Sequence, residues 1–416
     1  MWTSRTSGPG PARGLRRLAL ALALLLLAAP GWWGHKDKSE EPAPEPVPAP
    51  APAEPEPSPE PTPAPAPERA PVANLFPDGL PVAAGPIPTG LANRSAQGCN
   101  ACHYQAHDTW AHSAHATGFA DPAFREAVAE AGTPACRVCH QPLAEQAPQR
   151  AVYASGDPNE ADQEPNPTFD ATLYGEGVTC AACHVRDGKI VASHPPAGKA
   201  PHPVTWSDSL TSSSFCAACH ELTWPGADKP FYDTYGEWRR SPQGAAGIQC
   251  QDCHMGQGAS GGGRVDHDVT IDPARAVSLL VDVDHLALTR GGDPLNVTIR
   301  LQNTGAGHAV PTGSPFVAVV LKARLLSPPQ VKGDLPAERS VLQAVLGRTL
   351  SEGPPWTTTT DTRLQAGGER QWSWQPALEI DDPRGDWFIE VSLTRTVRGQ
   401  PDGDPFLVRR IPLDVD

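Results

Sequence analysis

This chain of 416 residues has few methionines, no long apolar run and no cysteine outside one repeated pattern. Each of these features narrows the class of protein. The ten cysteines all belong to one repeated pattern, which leaves none for disulfides, a thiol nucleophile or a lipid anchor. The longest apolar run, residues 18–29, is too short for a comfortable transmembrane helix. The net charge is −14, mostly carried between residues 94 and 272, so nucleic acid is excluded as a partner.

The cysteines form five copies of Cys-x-x-Cys-His between residues 99 and 254. Two thiols at this spacing lie on one side of a helical turn and can bond the two vinyl groups of one porphyrin, while the adjacent histidine ligates the iron. Structural zinc uses such pairs two at a time, and a disulfide framework does not place a histidine after every second cysteine. The pattern therefore predicts five covalently attached c-type haems. The predicted attachment residues are Cys99, Cys102, Cys136, Cys139, Cys180, Cys183, Cys216, Cys219, Cys250 and Cys253, and the predicted proximal ligands are His103, His140, His184, His220 and His254.

The amino-terminal residues predict export. Residues 1–31 contain four arginines before the apolar run, as in a signal peptide or an N-terminal anchor, and Trp32 and Trp33 could seat an uncleaved anchor at the membrane interface. Residues 32–93 form a linker rich in Pro, Ala and Glu, predicted to be an extended polyproline-II spacer over 41–71. The expected location is the periplasm or cell surface, with a membrane tether left open.

The remaining chain predicts an α+β multidomain protein. Residues 94–273 hold five motifs in too little chain for separate side-chain cores, which indicates a mostly helical and irregular multihaem cytochrome c domain packed around its porphyrins. A helix is expected over 123–131, with Asp121 as its N-cap.

Residues 274–416 have the pattern of an antiparallel β-sandwich. Apolar and polar residues alternate over 295–301 and 387–393, the run 316–321 suits a central strand, and Gly/Pro-rich turns separate these segments. About seven strands are expected.

The two methionines narrow the choice of the sixth iron ligands. Met1 begins the signal segment and Met255 adjoins a proximal histidine, so methionine cannot ligate all five irons. Nine histidines lie outside the motifs, which favours bis-histidine ligation and low reduction potentials.

Several segments resemble bacterial multihaem cytochromes c of the cytochrome c-552/4 type, the group that includes the tetrahaem electron acceptor of hydroxylamine oxidoreductase. These are Trp110-x-x-Ser113-x-His115 after the first motif, Gly177-Val178 before the third, and Glu237-Trp238-x-x-Ser241 before the fifth. The resemblance implies distal iron ligands, with His194 favoured over His112 and His107 for the fifth position. The implied distal ligands are His115, His202, His267, His308 and His194. For His308 it implies a loop of the sandwich domain that reaches a haem.

These features favour an electron-transfer protein over an enzyme, although the choice is left open. The chain contains no Cys-x-x-Cys-Lys, the substrate-haem signature of pentahaem nitrite reductases. The alternative is a reductase or oxidoreductase of small nitrogen or sulfur oxyanions with one open-coordinate haem near His107, His112, Tyr104 or Arg137. A surface adhesin or structural subunit ranks third. The expected partners are redox proteins that are basic at the contact.

Mass spectrometry of the mature protein tests the count of haems. Because each motif binds one porphyrin through two thioether bonds, we expect the polypeptide mass to be increased by five haems. A smaller increment would contradict the interpretation of all five motifs as attachment sites.

Overall fold

The computed structural model describes residues 75–76, 80–131, 136–152, 162–196, 200–223, 228–256, 265–329, 335–352 and 356–415, which all lie in the compact unit Pro67–Asp416. The architecture of these residues is α+β. The predicted signal or anchor segment 1–31 and the proline-rich stretch 41–71 lie outside the described residues. Within the described ranges, no helix is long and apolar enough to cross a membrane.

The α-helices in these ranges all end before residue 255. They are Ala96–Ala111 (α1), Ala114–Thr117 (α2), Pro122–Ala131 (α3), Arg137–His140 (α4), Cys180–His184 (α5), Ser213–His220 (α6), Thr234–Arg239 (α7), Pro242–Ala245 (α8) and Cys250–His254 (α9). The helix expected over 123–131 is α3, and the Asp121 carboxylate accepts a hydrogen bond from the Phe124 amide at 2.9 Å, which satisfies a free N–H group at the helix start.

Each Cys-x-x-Cys-His motif lies on a helix that ends or breaks at the motif histidine. Helices α4, α5, α6 and α9 end there, and α1 departs from helical geometry at His103, with φ −107° and ψ 39°. The chain therefore changes direction immediately after each histidine. After α5 and α6 it continues directly into short strands.

Small two- and three-stranded sheets connect the helices. Their strands are Gln149–Val152 (β1), Asp162–Pro165 (β2), Val185–Arg186 (β3), Lys189–Ala192 (β4), Val204–Trp206 (β5), Glu221–Leu222 (β6) and Tyr232–Asp233 (β7). Strands β1 and β2 pair with each other, β3, β4 and β5 form one sheet, and β6 pairs with β7. These short ladders satisfy backbone groups in a region with little regular structure.

The packed chain begins earlier than the composition predicts. Residues 80–93, assigned to the linker, lie against the motif-bearing part: Val82 bridges Leu143, and Ala84 is fully buried. The Glu145 carboxylate accepts hydrogen bonds from the amides of Ala84 and Gly85 at 3.1 and 3.2 Å. Composition could not show this, because the contacts are made with residues far along the chain.

The carboxy-terminal part is built from strands in two principal sheets. The strands are Val277–Val283 (β8), Ala287–Leu288 (β9), Val297–Asn303 (β10), Val317–Leu326 (β11), Glu338–Leu346 (β12), Arg348–Leu350 (β13), Thr358–Asp361 (β14), Glu369–Trp374 (β15), Gly385–Val397 (β16), Gln400–Pro401 (β17) and Leu407–Val415 (β18). One sheet has the order β15-β10-β8, and the other has the order β12-β11-β16-β18-β9 with β17 beside β16. All pairings are antiparallel except β18 with β9.

Both sheets contribute to one apolar core, as in a sandwich. Leu301 of β10, Leu321 of β11 and Trp387 of β16 are all fully buried in it. Burial of each such side chain contributes roughly 1.5–3 kcal/mol. The predicted alternation is observed in β10, and the run 316–321 lies in β11, between β12 and β16, where burial also alternates. The strands number more than seven because short edge pairs carry little periodic signal.

Candidate haem-binding site

All five motifs contribute to the wall of one cavity of about 1880 Å³. The cysteines and histidines of the first four motifs line it, and the fifth contributes Gln251, Asp252 and the adjacent Met255. An ordinary ligand pocket measures roughly 300–1,000 Å³, so this space suits several large groups. Among the described residues no cluster of three or more His, Cys, Asp or Glu could hold a metal ion.

Cysteines of different motifs lie within hydrogen-bonding reach of one another. The bonded pairs are Cys99 with Cys180, Cys139 with Cys219, and Cys216 with Cys250. The pKa of Cys219 is raised by its bond with Cys139, by burial, and by the nearby thiols of Cys183 and Cys216. The fourth motif therefore has the second, third and fifth motifs as neighbours, and the first motif adjoins the third.

Backbone carbonyls orient three of the motif histidines. The Nδ1 atoms of His140, His184 and His254 lie 2.8 Å from the carbonyl oxygens of Gly118, Val191 and Val269. A carbonyl can only accept, so Nδ1 must carry the proton, and the lone pair is left on Nε2. This is the arrangement that supports an Nε2 metal ligand.

Four histidines from outside the motifs each face a motif histidine. The ring-centroid separations are 6.4 Å for His103 and His202, 6.3 Å for His115 and His220, 6.2 Å for His184 and His267, and 6.2 Å for His254 and His308. The first three pairs line the cavity. Two ring nitrogens at about 2.0–2.1 Å from one shared metal ion would place the ring centres roughly 6 Å apart. Each of the four gaps is therefore wide enough for one metal ion between two ring nitrogens.

The four facing histidines come from separate parts of the chain. His115 lies on α2, His202 precedes β5, and His267 follows the last motif. His308 lies in the loop between β10 and β11, so the fifth motif faces a residue of the sandwich. The resemblance proposed all four of these histidines, and the structure places each opposite a different motif.

Burial favours the neutral form of five of these rings by lowering their pKa. It is the main cause that lowers the pKa of His115, His184, His267 and His308, and together with neighbouring imidazoles it lowers the pKa of His220 to about 4. A neutral imidazole has a free nitrogen lone pair, which metal ligation requires.

His140 of the second motif differs from the other four. Its ring stacks on Phe124, with centroids 3.7 Å apart and planes 11° apart. No second histidine ring faces it among the described residues. Tyr232 lies near this motif, and burial together with Cys139 and Cys136 raises the pKa of its phenol to about 12.

The structure does not bring His194 together with a motif histidine. This side chain is exposed, although it contributes to the cavity lining. His107 contacts Trp110, and the Nδ1 of His112 lies 2.7 Å from the Asp108 carbonyl. The other side chains proposed for an open site, Tyr104 and Arg137, are exposed and are not among the described residues that line the cavity. His285 pairs with Asp284 in the sandwich.

A tryptophan and a serine have the same structural roles in two parts of the chain. The sequence shows both pairs, but their roles were not predicted from it. The indole N–H of Trp110 donates to the Val178 carbonyl at 2.9 Å, and that of Trp238 donates to the Ile248 carbonyl at 2.8 Å. Each acceptor lies two residues before the first cysteine of its motif. Ser113 and Ser241 then cap the next helices, α2 and α8. The repeated Trp-x-x-Ser pattern was the available signal.

The glycine before the third motif is required by close approach of the backbone. Gly177 has φ +62°, and a Cβ atom there would collide with the carbonyl oxygens of His115 and Ala116. The next amide, that of Val178, donates to the His115 carbonyl at 2.9 Å. The Gly-Val pair therefore packs the third motif against the residue that faces His220.

The comparisons with known proteins find similarity only at the level of structure. No protein-family model and no curated protein matches the chain. The fold is similar to that of a multihaem cytochrome c. The solved structure concerned is a pentahaem cytochrome c552 from Thermochromatium tepidum, with 17% identity and a TM-score of 0.56 over 78% of this chain and 100% of that chain.

Two other solved structures match about a third of the chain. A CARDB domain from Pyrococcus furiosus in complex with di-metal ions is 9% identical, with a TM-score of 0.19 over 34% of this chain and 87% of its own. The sporulation control protein Spo0M from Bacillus subtilis is 16% identical, with a TM-score of 0.17 over 34% and 49%. Both TM-scores are too low to show a shared fold. The predicted resemblance to multihaem cytochromes c is thus confirmed for the fold, and the c-552/4 group stays a prediction.

Removal of either serine cap should weaken the region around its motif. Ser113→Ala deletes the hydroxyl that accepts from the Ala116 amide, and Ser241→Ala deletes the one that accepts from the Gly244 amide. We expect each variant to lose about 1 kcal/mol of unfolding free energy, measured by urea unfolding of the haem-loaded protein. Ser327→Ala, at a buried serine in the sandwich without a capping role, is the control. An equal loss in all three variants would contradict the capping interpretation.

Proposed function

We propose that this chain is an exported pentahaem cytochrome c that transfers electrons between redox partners. The observation that carries the proposal is the set of four histidine pairs with ring centroids 6.2–6.4 Å apart, three of which line one cavity. When bound, haem c supplies a one-electron iron couple. The five cysteine pairs would hold the porphyrins, the motif histidines would be the proximal ligands, and His115, His202, His267 and His308 would be the distal ones.

The ligands and the charge of the chain favour low reduction potentials. Two imidazoles stabilise the ferric state more than an imidazole and a thioether do. A net charge of −14 also favours the oxidised, more positive iron. The same charge suits a redox partner with a basic contact surface and would raise the rate of encounter with it.

The neighbouring thiols suggest an order for the haems. The first motif adjoins the third, the third adjoins the fourth, and the fourth adjoins both the second and the fifth. Electrons that enter at the first haem would therefore reach a branch at the fourth, where one arm ends at His140 and the other at His254. In this proposal the chain's task is to hold the iron sites close together and keep water from them.

Single histidine substitutions test the ligation on which the proposal depends. In the oxidised, fully haem-loaded protein, we expect His115→Ala, His202→Ala and His267→Ala each to convert one low-spin haem to high spin, because each removes the ring that faces a motif histidine. Low-temperature electron paramagnetic resonance measures this change. His285→Ala is the control, since that ring pairs with Asp284 at 2.8 Å in the sandwich. Unchanged low-spin signals in all three variants would refute bis-histidine ligation.

A second function is favoured by the surroundings of His140. Because no described histidine faces this ring, we propose as the alternative that its haem keeps an open position and reduces small nitrogen or sulfur oxyanions. His194 stays the predicted fifth distal ligand, and His194→Ala separates the two ideas. With an open haem, the native protein should already show one high-spin haem, bind cyanide at it, and be unchanged by His194→Ala. A wholly low-spin native spectrum, together with no turnover of nitrite, hydroxylamine or tetrathionate, would exclude the enzyme.

A further inference from the structure

The Glu237 carboxylate, on α7, contacts the sandwich loop that carries His308. Its side chain is 4% exposed. One oxygen accepts hydrogen bonds from the Ala309 amide at 3.1 Å and from the Thr312 hydroxyl at 2.7 Å. The other oxygen pairs with Arg363 at 2.7 Å. Ala309 directly follows His308, so the carboxylate holds the backbone beside the facing histidine.

The loop is also held from the sandwich side. The Asn303 side-chain amide donates to the His308 carbonyl at 2.8 Å, and the amides and carbonyls of Val310 and Leu364 bond each other at 2.8 and 3.0 Å. Arg363 is 7% exposed and also pairs with Asp361. Bonds from α7 on one side and from β10 on the other therefore define where the His308 ring lies.

The first copy of the Trp-x-x-Ser segment contains the same device. Thr109 precedes Trp110 as Glu237 precedes Trp238, and its hydroxyl accepts a hydrogen bond from the His267 amide at 3.1 Å. In each copy the tryptophan bonds the chain just before a motif, and the residue before it bonds the backbone that carries the histidine facing that same motif. The first copy contacts the pair His184 and His267, and the second copy contacts the pair His254 and His308.

A buried ion pair is a poor source of stability alone, because desolvation of both charges offsets most of their attraction. A threonine in the equivalent place shows that charge is not needed for the role. Both residues direct an acceptor oxygen at the backbone that carries a facing histidine. This common geometry points to positioning as their function.

We infer that Glu237 and Thr109 are positioning residues that set the distal histidines His308 and His267 on the axes of the fifth and third haems. The inference rests on the proposed function, since it takes these histidines as iron ligands. It assigns the residue before each repeated tryptophan a role in ligand geometry. It also makes Glu237 one of the residues that couple the sandwich to the haem array.

The test compares Glu237→Met, Thr109→Val and Glu390→Met in the full, haem-loaded chain, because each substitution removes the acceptor oxygens of its side chain. Glu390 is the matched control, because it is also 4% exposed and pairs with Arg324 and Arg410 on a sheet face that does not line the cavity. We expect Glu237→Met and Thr109→Val each to move part of one haem's signal from low to high spin, with five haems still attached. Added imidazole should restore the low-spin signal in both. Glu390→Met should lower the unfolding midpoint and leave the spectrum unchanged.

His308→Ala and His267→Ala separate failure of the inference from failure of the proposed function. If they convert one haem each and the positioning variants leave the spectrum as it is in Glu390→Met, the positioning role is overturned. If the histidine variants themselves change nothing, the ligation proposal fails first. Thr312→Val removes only one bond to the carboxylate and covers the case in which Glu237→Met does not fold. It should shift the reduction potential of the same haem, and an unshifted potential would count against the role.

Discussion

The gap between facing imidazole rings is the constraint on which the motif-bearing part of this protein depends. Four such gaps of 6.2–6.4 Å occur there, and three of the pairs line a cavity of about 1880 Å³. The buried apolar cluster beside the cavity is small and largely alanine and leucine. The motif-bearing part therefore has little side-chain core of its own next to this cavity.

The sandwich, unlike the motif-bearing part, has a large side-chain core. Its core contains Leu301, Leu321, Trp387 and Ile389, all fully buried between two sheets, so it needs no cofactor to satisfy its apolar faces. A self-sufficient sandwich can hold a loop rigidly against a region that lacks its own core. The histidine that faces the fifth motif, His308, lies on such a loop. In the second Trp-x-x-Ser copy the position that corresponds to His115 is Gln243, and Gly307 of the His308 loop packs on it.

The attachment sites could be predicted from sequence because covalent chemistry requires a local spacing, and strand alternation revealed the sandwich because its period is two. The pairing of rings could not be derived in this way. The His267 ring faces His184 and its amide donates to the Thr109 hydroxyl, and both are contacts between residues far apart in sequence. The family resemblance supplied these histidines without their partners. It also favoured His194 over His112 and His107 for the fifth position, and the structure places the His194 side chain in an exposed position.

The repeat of Thr109-Trp110 and Glu237-Trp238 suggests why the two copies carry different residues. The His267 loop follows the last motif within the same part of the chain, and one hydroxyl is enough to hold its amide. The His308 loop belongs to a separately stabilised sandwich. One cationic donor of that sandwich, Arg363, and one neutral donor, Thr312, both bond the Glu237 carboxylate. A carboxylate has acceptor positions for these donors and for the Ala309 amide together, which a hydroxyl does not. The charge at Glu237 therefore follows from the task of joining two parts of the protein that reach stability by different means.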